Sequence, residues 1–294
     1  MQKNKLAHLA LILVNLIYGL NYTIAKDVMN SNLHPSGFVF LRVFFACLLF
    51  FIIKSIWITK EVIDKKDYFL LMLCGLFGVT INQLFFFNGL NLTTEINASI
   101  IMTTNPILVL TIALLIKQER FSIIKLLGIV LGCIGAISII LNGENTLTAT
   151  NISKGNVMIF VNAFSYALYL ILVKRLMKKY SFITVIFYVF LFGFIFVFPF
   201  GIKEVLTINP DIITTSIIIG VLYVVIFTTF LAYLLNIFSL TYLKSSVVSS
   251  YIYLQPIFAA LFAILFQVDV INAKMITPTI LIFLGVYLVS TKKI

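Results

Sequence analysis

Long apolar stretches, each nearly free of charged residues, alternate with short polar connections along the whole chain. A helix needs about 20 apolar residues to cross the hydrocarbon core of a bilayer, and these stretches are of that length. The pattern predicts ten membrane-spanning helices, at residues 6–25, 36–57, 68–90, 95–116, 121–141, 155–173, 182–200, 212–239, 245–266 and 276–290. Because no connection is long enough for a separate soluble domain, we expect an all-α integral membrane protein.

The composition agrees with a membrane protein and argues against most soluble classes. Hydrophobic residues make up 62% of the 294 residues and charged residues 11%, whereas soluble domains average about 25% charged residues. The three cysteines and two histidines are scattered and show no metal-ligand or redox spacing. We therefore expect no cofactor and no metal site, and neither a soluble enzyme nor a nucleic-acid-binding domain.

The formal net charge of +11 is explained by where the basic residues lie. Most of the 21 Lys and Arg residues fall in the connections on the side of the membrane that carries both chain termini. Basic residues collect in cytoplasmic loops. Because ten spans place both termini on one side, both are predicted to be cytoplasmic, and the charge requires no nucleic acid as partner.

The second half of the chain repeats the pattern of the first. Asn105-Pro106-Ile107 aligns with Gln255-Pro256-Ile257, and Asn15 in the first span aligns with Asn162 in the sixth. Each half holds five spans, and an odd number gives the halves opposite orientations, an arrangement that recurs in secondary transporters. We therefore predict two inverted five-helix repeats. The predicted units are a first repeat at residues 1–141, a linker at 142–154 and a second repeat at 155–294.

Several segments of the first half resemble a known family. The first helix contains NLIYGLNYTIAK and the second FLRVFFACLLF, and later segments read GLFGVTINQLFFFNGLNLTT, NPILVLTIALLIKQER and GIVLGCIGAISII. The chain resembles an EamA-type member of the drug/metabolite transporter superfamily over essentially its whole length, with the second half the looser match. The resemblance implies a ten-helix carrier that exports amino acids or other small metabolites from bacteria. The second half departs from the pattern, since Val268-Asp269-Val270 stands where the first half has Gln118-Glu119-Arg120.

Polar side chains within the spans recur at helical spacing and are candidates for binding a substrate. Amide and hydroxyl groups can bind carboxylate, amine and hydroxyl groups without adding charge to a cavity. The alternative for each residue is an interhelical hydrogen bond, worth about 0.6–2 kcal/mol in membranes, and Ser and Thr also bond to their own helix. The candidate substrate-binding residues are Asn15, Tyr18, Tyr22, Asn82, Gln83, Ser99, Thr103, Asn162, Tyr166, Tyr169, Tyr233, Asn236, Ser249 and Tyr253.

Pro106 and Pro256 lie near the middle of the fourth and ninth spans, at matching positions of the repeat. Proline removes a backbone hydrogen bond and kinks a helix, so both are predicted hinges beside the cavity, with a packing kink as the alternative.

Arg42 lies several residues inside a span, where an ionisable group is a candidate for function. We predict that Arg42 pairs with Glu95 at the outer end of the fourth span, as a gate or as a structural anchor.

Together these features predict a secondary transporter that moves a small metabolite across the bacterial inner membrane by alternating access. An amino acid or a related compound is the expected substrate, and export the expected direction. We expect a monomer in the lipid bilayer that binds no nucleic acid. The alternatives are an intramembrane enzyme acting on a lipid or peptide, for which the usual nucleophile and zinc motifs are absent, a channel, or a carrier of drugs or nucleotide precursors.

Overall fold

The computed structural model describes residues 2–30, 33–58, 61–117, 122–141, 151–208, 214–269 and 273–290. Within these ranges the chain is largely helical and holds no strand. The α-helices are α1 Gln2–Asn30, α2 Pro35–Trp57, α3 Tyr68–Gly75, α4 Asn82–Leu92, α5 Glu95–Met102, α6 Asn105–Leu115, α7 Ile123–Leu141, α8 Ile152–Leu176, α9 Phe182–Leu206, α10 Thr215–Tyr223, α11 Ala232–Tyr242, α12 Ser245–Ser250, α13 Leu254–Leu265 and α14 Ile276–Ser290. The predicted linker at 142–154 falls mainly outside the described residues.

Proline and short polar residues mark the starts of several helices. Pro35 opens α2, where its missing N–H leaves no helical hydrogen bond unmade. At the start of α5, the Thr94 hydroxyl oxygen accepts a hydrogen bond of 3.2 Å from the amide of Asn97. Ser181 accepts a bond of the same length from the amide of Thr184 at the start of α9. Each cap satisfies an amide that the first helical turn leaves without an intrahelical partner.

Eight helical stretches, some of them made of consecutive segments, are long and apolar enough to cross a membrane. They coincide with eight of the predicted spans. The fifth and tenth predicted spans correspond to shorter apolar helices among the described residues, Ile123–Ser138 and Ile276–Gly285. Large apolar side chains such as Leu9, Phe69 and Ile219 are exposed, as expected for a surface that contacts lipid. The described part of the chain therefore has the all-helical architecture of a multi-pass membrane protein.

The third and eighth spans each contain a wider, π-helical turn. One lies between α3 and α4 at Leu76–Ile81, and the other lies between α10 and α11 at Val224–Leu231. In both, a threonine hydroxyl donates to the carbonyl five residues earlier, as Thr229 does to Val224 over 2.7 Å. Turns of this kind are rare and occur frequently at functional sites. They are absent from the sequence-based prediction, because hydropathy does not distinguish them from an α-helix.

The fourth and ninth spans are interrupted just before their prolines. A turn separates α5 from α6, which has Pro106 in its first turn. A 3-10 segment at Tyr251–Tyr253 separates α12 from α13, which carries Pro256 near its start. Each proline therefore lies at the beginning of a new helix, which corrects the predicted bend in a continuous one. Their role as hinges stays a prediction.

The helices of the two halves pack against each other in matching pairs. α1 packs on α11 and α13, while α8, its counterpart in the second half, packs on α4 and α6; α2 packs on α9, and α7 on α14. Glycines permit the closest approaches. A β-carbon on Gly155 would lie 2.7 Å from the carbonyl oxygen of Gly89, and one on Gly285 would lie 2.5 Å from that of Gly128. The first helix of each half is thus held by two helices of the other half.

Candidate functional site

A cavity within the helical body is lined by both halves of the chain. It has a volume of about 70 Å³, which is room for several water molecules. Its wall comes mainly from α1, α4, α8 and α11, with single contributions from α2, α5, α12, α13 and the segments beside them. The space can therefore hold several water molecules or a small solute.

Most of the predicted binding residues meet in this cavity. They come from α1, α4, α8 and α11, which are adjacent in the fold although far apart in the sequence. The predicted binding residues that line the cavity are Asn15, Tyr18, Tyr22, Asn82, Gln83, Asn162, Tyr166, Tyr233 and Asn236. The wall also contains residues that the sequence analysis does not single out as binding residues, among them Asn21, Phe86, Phe87, Met102, Thr228 and Gln255.

Some predicted binding residues do not form part of the cavity wall as the described residues build it, and their role in binding stays a prediction. The hydroxyls of Ser99 and Thr103 donate to carbonyls of their own helix, at 2.8 and 2.6 Å. The ring of Tyr253 packs against a phenylalanine of α14, with the ring centroids 6.0 Å apart. Helical spacing alone does not reveal which face a neighbouring helix covers. The predicted residues outside the wall are Ser99, Thr103, Tyr169, Ser249 and Tyr253.

Gln255 connects α13 to α1. Its side-chain nitrogen Nε2 donates to Asn15 Oδ1 over 3.0 Å, and its Oε1 accepts from the Tyr22 hydroxyl over 2.8 Å. Asn105, which aligns with Gln255 in the repeat, donates from Nδ2 to the carbonyl of Ala163 in α8 over 2.8 Å. In both halves the amide before the proline thus ties its helix to the first helix of the other half. The repeat alignment is the sequence signal that could have identified Gln255.

The hydroxyl of Tyr233 is a second junction between the halves. It lies 3.1 Å from both the Gly78 carbonyl oxygen and Asn82 Oδ1, and it accepts from Gln83 Nε2 over 3.3 Å. A phenol has one proton to donate, so the two acceptors share it. Nδ2 of Asn162 donates to the Asn82 carbonyl over 2.7 Å. Residues of both repeats are therefore linked through one hydrogen-bonded network in the cavity wall.

Arg42 lines the cavity and is only 2% exposed. Its Nε donates to Thr229 Oγ1 over 2.8 Å, and the centre of its guanidinium lies 4.4 Å from the centroid of the Phe87 ring. Glu95 instead forms an ion pair with Lys26, with Nζ and Oε2 3.4 Å apart. The predicted Arg42–Glu95 pair is therefore wrong. The reason is that α1 continues beyond its predicted end, so that Lys26 is a buried helical residue and not part of a connection.

The wall of the cavity combines this cation with neutral amides, hydroxyls and aromatic rings. Its lining contains no Asp or Glu, and no group of three or more His, Cys, Asp or Glu in the described part of the chain could hold a metal ion. Several buried oxygens of lining residues have no hydrogen-bond partner within the described structure. They are Asn21 Oδ1, Gln83 Oε1, Asn162 Oδ1 and Thr228 Oγ1. Buried polar atoms are usually paired, so these four oxygens are unsatisfied acceptors among the residues that line the cavity.

A polar cluster joins the connection before α3 to the connection before α9, outside the membrane-spanning segments. Glu61 accepts two hydrogen bonds of 2.8 Å from Ser181, one from its amide and one from its hydroxyl. Burial alone would raise the pKa of Glu61, but hydrogen bonds from Thr184 and Ser181 outweigh burial and hold that pKa below its usual value. Lys179 Nζ lies 2.8 Å from Asp67 Oδ2. These contacts link the two halves at one end of the helical body.

Both halves of the chain match the EamA-like transporter family, over residues 5–141 and 153–291. An uncharacterized transporter of Archaeoglobus fulgidus is 29% identical over 296 residues, and the match covers 99% of each chain. The uncharacterized transporter YetK of Bacillus subtilis is 29% identical over 199 residues, which is 67% of this chain and 59% of that protein. A crystal structure of a protein shares the fold, with a TM-score of 0.63, 14% identity and coverage of 95% of this chain and 96% of that one. The chain therefore belongs to the EamA-like transporter family.

Proposed function

We propose that this membrane transporter is a secondary carrier that moves a small metabolite through the central cavity by alternating access. The observation that carries the proposal is that both repeats build the cavity wall and meet there in a hydrogen bond between Gln83 and Tyr233. These two residues are 150 positions apart and occupy matching places in the repeats. Because the binding wall is shared by two similar halves, a movement of one half against the other would change the side from which it opens.

The two repeats are proposed to lie in the membrane with opposite orientations. With five apolar helices in each half, the second repeat begins on the opposite side from the first. α1 packs on two helices of the second half, and α8 packs on two helices of the first half. This matching arrangement supports a pseudo-two-fold relation between the halves. We take 1–141 and 155–294 as the repeats and 142–154 as the linker. The excess of basic residues in alternate connections supports cytoplasmic termini.

The interrupted helices are the proposed moving parts. The breaks before Pro106 and Pro256 and the two π-helical segments at Leu76–Ile81 and Val224–Leu231 lie at matching places of the repeats. At these places the regular pattern of α-helical hydrogen bonds is already interrupted. Fewer hydrogen bonds therefore have to break when a helix changes its angle. Each half thus has two places at which its helices can bend toward or away from the cavity.

An amino acid or a related compound is the proposed substrate, and export from the cytoplasm of a bacterial cell across its plasma membrane is the proposed direction. The family resemblance suggests this substrate class, and the amides, hydroxyls and tyrosine rings of the cavity are suited to a small polar solute. We propose that a monomer carries out transport, without a nucleic acid partner.

Counterflow in proteoliposomes tests the proposal. Vesicles are loaded with a mixture of unlabelled amino acids, and uptake of each labelled one is followed without an ion gradient. We expect transient accumulation of at least one compound. Tyr233→Phe should slow its accumulation, whereas Tyr287→Phe, the same change at an exposed position of α14, should not. Flux that does not saturate and shows no accumulation against the loaded compound would contradict a carrier and favour a channel.

A further inference from the structure

The buried cation of the cavity wall has no anionic partner among the described residues. One of the five N–H groups of the Arg42 guanidinium donates to Thr229, and one face of the group covers Phe87. Thr229 directs its own hydroxyl proton to the Val224 carbonyl, so its oxygen is held in place as the acceptor for Arg42. The four N–H groups of the terminal nitrogens make no hydrogen bond to the described chain. They are therefore available to a solute in the cavity.

Charge in the rest of the wall is absent, so the anion must come from the ligand. No Asp or Glu lines the cavity. Glu95 pairs with Lys26 instead, and Asp269 accepts from the amide of Ile96. An ionised group buried in a membrane protein is kept because it is paired or because it binds something. A guanidinium offers two parallel N–H donors in the geometry of a carboxylate.

The unpaired oxygens of the wall describe a second feature of the ligand. Gln83 Oε1, Asn162 Oδ1 and Thr228 Oγ1 are buried and have no donor within the described residues. These oxygens belong to both repeats, and each can accept a hydrogen bond from a hydroxyl or an ammonium group. A solute that carries one carboxylate and such a donor would satisfy Arg42 and the wall together.

We propose that Arg42 is the specificity-determining residue of the cavity and holds the carboxylate of a small hydroxy or amino acid. The proposal rests on the carrier function proposed above and names the group that the carrier recognises. A neutral amide of the same size lacks the negative charge and would leave the buried cation uncompensated. The cavity should therefore bind acids and reject their amides.

Ligand-induced stabilisation of the purified full chain in detergent micelles tests this without transport. The probes are the common amino acids, the 2-hydroxy acids with the same side chains, and the corresponding amides, each titrated while the thermal unfolding midpoint is measured. We expect acids from one or both of the first two groups to raise the midpoint, and the amides to have no effect. Arg42→Gln should weaken acid binding about a hundred-fold, the usual scale for loss of a buried charged hydrogen bond.

Two further variants keep the test decisive. Arg42→Lys keeps the charge without the planar pair of donors and should bind the acid about ten-fold more weakly. Lys54→Gln removes a cation from the far end of the same helix, where Nζ lies over the rings of Phe187 and Tyr188, and should bind like the wild type. Equal binding of amides, wild-type affinity in either Arg42 variant, or no binding of any acid would overturn the inference. Transport of a solute that is unaffected by Arg42→Gln would overturn the role of Arg42 but not the carrier function. Acid binding without counterflow would contradict the carrier function but not the role of Arg42.

Discussion

Removing the Lys26 amine is expected to destabilise the protein strongly, because it breaks a buried ion pair. The side chains of Lys26 and Glu95 are 3% and 5% exposed, and their charged atoms are 3.4 Å apart. At an effective dielectric constant of 20, two unit charges at this distance attract by about 5 kcal/mol. Lys26 Nζ also donates to the Thr93 carbonyl over 2.6 Å, at the end of α4. In Lys26→Met the carboxylate and this carbonyl would both lose their partner.

The expected cost is about 3–5 kcal/mol of unfolding free energy, the usual result of removing one partner of a buried pair. Denaturant titration in detergent micelles measures it. Lys5→Met, the same change at an exposed position of α1, should alter stability by at most about 0.5 kcal/mol. The double variant Lys26→Met/Glu95→Leu should recover much of the loss, since no charge is then left buried alone.

A double-mutant cycle decides whether the pair itself is responsible. If the two changes act through the ion pair, their combined cost is well below the sum of the single costs. A Lys26→Met cost below about 1 kcal/mol, or costs that add, would refute the argument. The first result would mean that water reaches the pair. The second would mean that each side chain is stabilised by other contacts.

Three further predictions concern the cavity and the packing around it. Replacing Pro106 and Pro256 together by alanine should slow counterflow about ten-fold or more if these breaks are hinges; an unchanged rate would exclude that role. Gly285→Val should lower the thermal unfolding midpoint, because the β-carbon of the new side chain would meet the backbone of α7 and overpacking costs about 1–3 kcal/mol. An unaltered midpoint would contradict this helix contact. Gln255→Leu should cost about 1–3 kcal/mol in a denaturant titration, since it leaves the Tyr22 hydroxyl without its acceptor, and a neutral effect would show that water replaces the amide.

The site was partly predictable because amides and tyrosines inside apolar helices are conspicuous. Asn15, Asn82 and Asn162 stand out in their spans, and all three line the cavity. Ser99 and Thr103 lie outside the wall, and their hydroxyls donate to their own helix. Sequence spacing does not reveal whether a hydroxyl bonds in this way. The carboxylate partner of Lys26 was missed for a related reason, since α1 extends further than its apolar stretch.

Features that depend on local chemistry along one helix can be read from the amino-acid sequence. The length of the apolar stretches determined a helical membrane protein, and the positions of the spans follow from the same pattern. The repeat is also a property of the sequence alone, as is the relation between Pro106 and Pro256. The start of α5 at Glu95 is local as well, because the Thr94 cap acts within a single turn.

Which helix faces meet, and therefore which polar groups share the cavity, depends on the assembled fold. Gln255 contacts α1, Tyr233 contacts α4, and Arg42 contacts Thr229 in the eighth span, all across large distances in the sequence. In a bilayer the apolar pattern drives each helix into the membrane but does not choose its neighbours, since lipid is as apolar as leucine. That choice depends on close packing at glycines such as Gly155 and on the pairing of buried polar groups, and both exist only when the helices have assembled.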